Sequence, residues 1–278
     1  MKFAICHEMF TDWDWERQCR FIAETGYTGV EVAPFMLAER IGQVPAEVRR
    51  TMRKQAAEYG LSIIGLHWLL AKTEGLHLTT ADASVRKATA DYLVELGEAC
   101  ADLGGDLMVF GSPFQRNLEE GMTRGEAYDN AAEVFRAALP KIGARGVKIC
   151  MEPLTPKETD FVNTCAEALE LIELVGLPNF CLHQDVKAML GAESEPLPVL
   201  IDRFKEQTGH FHVNDTNLLG PGMGETDYVP IFEALVKSGY AGWVSVEVFD
   251  YAPGAEAIAR ESFQNMQAAL KAARELAS

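Results

Sequence analysis

Short apolar runs rich in β-branched residues alternate along the chain with longer stretches whose apolar positions recur every third or fourth residue. The short runs are Lys2–Cys6, Gly29–Ala33, Leu61–His67, Asp106–Gly111, Val147–Glu152, Asn179–Asp185, His210–Asp215 and Gly242–Val248, and they have the length and composition of buried strands. The longer stretches, Trp15–Glu24, Ala46–Tyr59, Ser84–Leu103, Glu126–Ile142, Ala166–Val175, Leu197–Gln207, Val229–Lys237 and Ala255–Leu276, carry the spacing of amphipathic helices. Gly26, Gly60, Gly146 and Gly239 each stand between a helical stretch and the next strand, where a residue that accepts the left-handed conformation stops the helix. Eight β-then-α units fill the 278 residues. A doubly wound sheet usually has about five to seven strands, so the pattern favours closure. The predicted fold is α/β, a single (β/α)8 TIM barrel spanning residues 1–278, with no stretch that reads as an interdomain linker.

Strand parity adds chemistry to this outline. In a parallel barrel one set of side chains faces the helices and the alternate set faces the lumen. The valines of Trp243–Val248 form one set, leaving Trp243, Ser245 and Glu247 as the other. Phe211 and Val213 face helices, which turns His210, His212 and Asn214 inward. Cys181, His183 and Asp185 share the inward parity, as do Cys150 and Glu152, and the same logic turns Glu31 and His67 inward. Inward polar groups need partners, and these gather toward the C-terminal strand ends, where barrels of this kind place their active sites.

Composition narrows the classes of function. The chain is 48% hydrophobic and 24% charged, which supports a sizeable core and excludes global disorder. Twenty-five Lys and Arg against 41 Asp and Glu give a net charge of −16 and a pI near 4.8. That balance argues against nucleic acid or an anionic membrane as partner. No apolar run reaches the roughly 18 residues of a membrane span. The N-terminus enters a strand directly, without the apolar region of a signal peptide, and the six cysteines (Cys6, Cys19, Cys100, Cys150, Cys165, Cys181) form no CxxC pair. Reduced thiols in a cytoplasmic protein are expected.

Four consecutive predicted strands end in an inward carboxylate or imidazole: Glu152, Asp185, His212 and Glu247. Three carboxylates crowded together would push one another's pKa up sharply unless a cation compensated them. One imidazole and three carboxylates form a hard, mostly oxygen donor set suited to one divalent ion, Mn²⁺ foremost, with Mg²⁺ or Co²⁺ as alternatives. A structural zinc site would use thiolates instead. An octahedral ion held by these four keeps two positions open, which a carbonyl and a neighbouring hydroxyl of a sugar would fill. The glycines at 220, 222 and 224 are a weak signal for a phosphate cradle, and no GxGxxG, P-loop or GxSxG element is present.

The stretches Met151-Glu152-Pro153-Leu154, Cys181-Leu182-His183-Gln184-Asp185, His210-Phe211-His212-Val213-Asn214-Asp215, Gly220–Tyr228 and Val244-Ser245-Val246-Glu247, in this order, resemble the xylose isomerase-like TIM barrel family. This is the sugar phosphate isomerase/epimerase group that includes tagatose 3-epimerase and hydroxypyruvate isomerase. Gly29-Val30-Glu31-Val32 and Gly65-Leu66-His67 are similar to its second and third strands. The resemblance implies that Glu152, Asp185, His212 and Glu247 hold the metal, and that Glu152 and Glu247 flank the substrate as catalytic acid and base. Removing a proton beside a carbonyl builds an enediolate, whose charge a cation offsets. Glu158 matches a family position that orients the substrate or the acidic pair. Substrate contacts are also expected from His7, from His67 and Trp68 at the third strand end, and from His183, the last being equally suited to support a ligand. Phe110–Phe114 is expected to wall the pocket.

Two positions depart from the epimerases of this group. Ala188 stands where they carry a substrate-contacting His, and no Arg occurs in Asp215–Leu219. Lys187 would favour an anionic substrate. The expected activity is therefore a metal-dependent epimerase or isomerase of a ketose or related small sugar, with a lyase or decarboxylase acting on a keto sugar acid as the alternative. The expected partner is a small-molecule sugar or sugar acid, and the outer helices leave room for a homo-oligomer. The DNA-repair branch of the same barrel would need more histidines at its metal cluster than these strand ends provide.

Overall fold

The computed structural model describes residues 1–277. Eight parallel strands close into a barrel in chain order: β1 (Lys2–Cys6), β2 (Gly29–Val32), β3 (Ser62–Leu66), β4 (Leu107–Phe110), β5 (Lys148–Met151), β6 (Phe180–Asp185), β7 (Thr208–Val213) and β8 (Trp243–Val246). The ring shuts where β1 pairs with β8, Lys2 opposite Trp243. Around it lie α1 (Trp15–Thr25), α2 (Ala46–Glu58), α3 (Ala83–Leu103), α4 (Arg124–Gly143), α5 (Cys165–Val175), α6 (Val186–Ala192), α7 (Leu197–Arg203), α8 (Tyr228–Lys237) and α9 (Ala255–Ala277). The eight-unit barrel expected from periodicity is the one observed.

Short polar side chains start the helices by accepting the first free N–H groups: Asp14 for α1, Asp82 for α3, Thr164 for α5 and Asp227 for α8. Thr123 and Glu126 cap α4 reciprocally. Gly26, Gly60, Gly146 and Gly239 all take positive φ at the helix stops. Two differences from the sequence reading bear on the site. The helix expected over Leu197–Gln207 ends at Arg203, so β7 begins two residues early, at Thr208. A further short helix, α6, starts immediately after β6, and its N-cap is Asp185. Its seven residues are too few for a helical period to stand out.

The main apolar core lies between the barrel and the helices. The lumen holds a second, small cluster of Leu107, Val109 and Cys150, with Cys181 packed on it. Above that plug the lumen turns polar, with Cys6, Glu31, His210, His212 and Ser245 all fully buried. The predicted parity of β5 through β8 is thus the observed one, and the polar layer opens toward the C-terminal strand ends. No helix among the described residues is long and apolar enough to cross a membrane.

Candidate active site and metal centre

The ligand atoms of Glu152, His183, Asp185 and His212 lie within 4.8 Å of one another, and all four residues are buried. Three of the four expected metal ligands are therefore together, with His183 in the place expected for Glu247. Glu247 stands directly alongside: its Oε2 is 3.2 Å from His212 Nδ1. The other edge of His212, Nε2, is 3.1 Å from Glu31 Oε2, which also lies 3.0 Å from His210 Nε2. Glu31 thereby fixes two imidazoles from the far side of the barrel.

Each carboxylate is held by a different device. Asp185 Oδ1 accepts the Ala188 N–H at 2.7 Å as the cap of α6, and its Oδ2 accepts Asn214 Nδ2 at 2.6 Å. Glu247 Oε1 accepts the Trp68 indole N–H at 2.7 Å and lies 2.9 Å from His67 Nδ1. His67 Nε2 in turn lies 3.0 Å from Glu8 Oε2, off the direction of a good hydrogen bond. Trp68 takes φ +53°, a region that bulky residues avoid because of steric cost. Among the described residues the Glu152 carboxyl has no hydrogen-bonded side-chain partner, and its Oε2 occupies the space over Gly111, where a Cβ would come within 1.7 Å. Arg116, fully buried, donates from Nη1 to the Glu152 main-chain oxygen at 2.7 Å and from Nη2 to Val162 O at 3.3 Å.

The electrostatics of these groups diverge. Burial, then the charges of Glu247 and Asp185, push the Glu152 carboxyl well above the usual carboxylate range. Burial also raises Asp185. For Glu247 burial acts upward too, but His212 and His67 outweigh it and hold the group well below the usual range. His183 is pushed down by burial and by its neighbours His212 and His210, and neither of its ring nitrogens has a hydrogen-bond partner among the described residues. Its Nε2 is 4.0 Å from Glu152 Oε1. Orphaned, buried nitrogen beside crowded carboxylate oxygen is the donor chemistry that a divalent cation satisfies, so the residues fit the ion expected from the sequence.

A cavity of about 250 Å³ opens over Glu152 and Glu247, and Trp68 and Glu158 also line it. The remaining expected substrate contacts do not line it. His7 is buried, with Nδ1 accepting the Ala33 N–H at 3.2 Å and its ring against Trp15. His67 and His183 are buried and do not line the cavity. Lys187 Nζ pairs with Glu158 Oε1 at 2.8 Å and sits over the Phe249 ring. The other Glu158 oxygen accepts both the N–H and the hydroxyl of Thr155. The glycine-rich loop after β7 closes on the chain's own Asp215, which accepts Gly224 N–H at 3.1 Å and the Thr226 hydroxyl at 2.7 Å. The Gly224 N–H and the Thr226 hydroxyl are thus taken by the chain's own side chain rather than left for a phosphate.

Sequence reasoning gave no role to Arg116, Glu31 or Asn214, whereas Gly111 was expected in the pocket wall and Gly111 to Phe114 do line the cavity. Parity had already turned Glu31 and Asn214 inward, and only their partners were missing. Arg116 lies in the long connection after β4, where no periodic pattern marks an inward residue.

The family model described as xylose isomerase-like TIM barrel matches residues 19–269, and the chain belongs to that family. It is 27% identical over 202 residues to a ketose 3-epimerase of Arthrobacter globiformis, covering 72% of this chain and 68% of that protein. It is 24% identical over 265 residues to the 3-dehydro-D-guloside 4-epimerase of Escherichia coli K12, covering 89% of this chain and 92% of that protein. A solved structure of L-ribulose 3-epimerase superposes with a TM-score of 0.84 at 21% identity, covering 100% of this chain and 97% of that one.

Proposed function

We propose that this chain is a divalent-metal-dependent epimerase of a ketose or related keto sugar. The observation that carries the reading is the placement of Glu152 and Glu247, on β5 and β8 ends, both lining one cavity beside the buried carboxylate and imidazole group. The names of the relatives, epimerases acting at sugar carbons, support it.

Glu152, Asp185, His212 and Glu247 are the proposed ligands, with the His183 imidazole beside them as a further donor. Bound there, Mn²⁺ (or Mg²⁺ or Co²⁺) would offset the negative charge that develops on the sugar oxygens when a proton leaves the carbon beside the carbonyl. The rest falls to side chains. One of Glu152 and Glu247 removes that proton, and the other returns one on the opposite face, which inverts the carbon. Trp68 and His67 aim Glu247 by holding Oε1, while Gly111 leaves Glu152 room over the cavity floor. Arg116 fixes the Glu152 main chain, and Asn214 and the α6 N-terminus fix Asp185.

The keto sugar acid reading leans on Lys187 as a cation for the substrate. That ammonium is already neutralised by Glu158, so epimerisation is preferred to decarboxylation. The six cysteines are free, and we place the protein in the cytoplasm.

Solvent-deuterium uptake into unreacted ketose, read by NMR for D-fructose, L-ribulose and D-tagatose, tests the proposal. Protein dialysed against chelator should lose exchange and regain it with Mn²⁺. Glu152→Gln and Glu247→Gln should each lower exchange by about 10³-fold or more with an intact circular dichroism spectrum. Full exchange after chelation, or unchanged rates in either variant, would refute the assignment.

A further inference from the structure

Cys150 and Cys181 take no part in the chemistry at the C-terminal strand ends. They meet lower in the lumen, as register partners on β5 and β6, with their Sγ atoms 3.4 Å apart. Neighbouring strands run about 4.8 Å apart, inside the Cα separation of about 4.4–6.8 Å that a disulfide spans. The sulfurs need to close by about 1.4 Å to reach the bonded distance of about 2 Å.

The fold clears space at this pair. Between β6 and β7, Thr208 stands opposite Leu182 and His210 opposite His183, so Gly209 is an extra residue in the ladder. A Cβ there would collide with Cys181 Sγ and come within 3.1 Å of Cys150 Sγ. Gly209 also lines a cavity of about 450 Å³ at the N-terminal strand ends, together with Lys148, Tyr240 and Gly242. Of the six cysteines, five are buried and Cys181 alone is partly exposed. Oxidation selects thiols by exposure, so it begins at Cys181, and the thiol that resolves it is already in contact. The pair also has a lever on the site, because Cys150 stands two residues before Glu152 and Cys181 four before Asp185, on adjoining strands.

We infer that Cys150 and Cys181 form a dithiol modification site, which a peroxide closes reversibly to a disulfide, and that closure slows the chemistry at the strand ends above. Cys181 Sγ attacks one peroxide oxygen, the O–O bond breaks and water leaves, giving a sulfenic acid. Cys150 Sγ then displaces the remaining oxygen as a second water. The two sulfurs together lose two electrons to the peroxide, and the two waters take up the thiol protons. A dithiol reductant reverses the step by thiol–disulfide exchange. Joining β5 to β6 shifts Glu152 against Asp185, and a misplacement of about 1 Å in a reacting group costs about 10²-fold.

The reduced chain is treated with about a tenfold excess of hydrogen peroxide, desalted, and measured by intact mass and by peptide mapping without reduction. The mass should fall by about 2 Da, with the peptides of Cys150 and Cys181 joined. Deuterium uptake into ketose by the Mn²⁺-loaded protein should then fall at least about tenfold and return after dithiothreitol. Cys181→Ala and Cys181→Ser should each keep the parent rate and be insensitive to the same treatment. The link between uptake and oxidation rests on the epimerase reading, whereas mass and mapping do not, so failure of that reading leaves the disulfide separately decided. An unchanged mass, a peroxide-dependent bond between two copies of the chain, or a different pair in the map overturns the inference. So does oxidised protein that exchanges at the reduced rate, or a Cys181 variant inhibited as the parent is.

Discussion

Gly111→Ala isolates the position of one carboxylate from everything else in the site. A Cβ at residue 111 would lie 1.7 Å from Glu152 Oε2 and 2.9 Å from its carboxyl carbon, whereas ordinary contact begins at 3.4 Å. The oxygen must therefore retreat by about 1.7 Å. The backbone at Gly111 is not in the left-handed region, so alanine is accommodated without strain. The obstructing atom is the tip of a flexible side chain, which can swing away. Stability should change by less than about 1 kcal/mol, helped slightly by the stiffer unfolded chain. Catalysis should not be so tolerant, because a displacement of about 1 Å in a reacting group costs about 10²-fold, or about 2.7 kcal/mol at the barrier. Deuterium uptake at saturating ketose and thermal melting by circular dichroism, run on the same sample, separate the two effects. A folded Gly111→Ala protein exchanging within about threefold of the parent rate would refute the claim that Glu152 acts from where it stands.

Trp68→Phe removes the 2.7 Å hydrogen bond to Glu247 Oε1 but leaves the His67 contact at 2.9 Å, so the rate constant at saturation should fall by about tenfold rather than vanish, which steady-state kinetics on the same ketose will show. A second test uses acid stability. Burial, reinforced by His67, lowers the His7 imidazole from 6.5 to about 3. The unfolded chain binds that proton below pH 6.5 while the folded one does not, so stability is full above 6.5 and is lost as pH falls toward 3. This one group contributes a slope of up to about 1.4 kcal/mol per pH unit. Urea unfolding of His7→Gln between pH 6.5 and 4 should show a shallower acid limb than the parent, and parallel curves would contradict the buried, neutral imidazole.

The barrel was legible because a strand buried on both faces writes a continuous apolar run, and a glycine after each of several helices marks where the next begins. The acids of the site were legible for a related reason: once Phe211 and Val213 face the helices, His212 has nowhere to point but inward. What stayed hidden was every contact made across the ring. Glu31 meets His212, and His67 meets Glu247, about half the chain or more away in sequence, and no local pattern encodes a partner that only closure brings near. Asp185 shows a subtler limit. A ligand-type aspartate at a strand end and an N-cap aspartate at a helix start are the same letter in the same place, so α6 was concealed by the very residue that begins it. Trp68 shows where such hidden demands leave a physical trace. It reaches Glu247 from β3 to β8, across two intervening strands, and does so from a left-handed backbone at φ +53°. That conformation costs about 1–3 kcal/mol for a non-glycine residue. A fold indifferent to where the indole points would relax to an ordinary backbone, so the strain itself argues that the orientation of Glu247 is what this loop is shaped to hold.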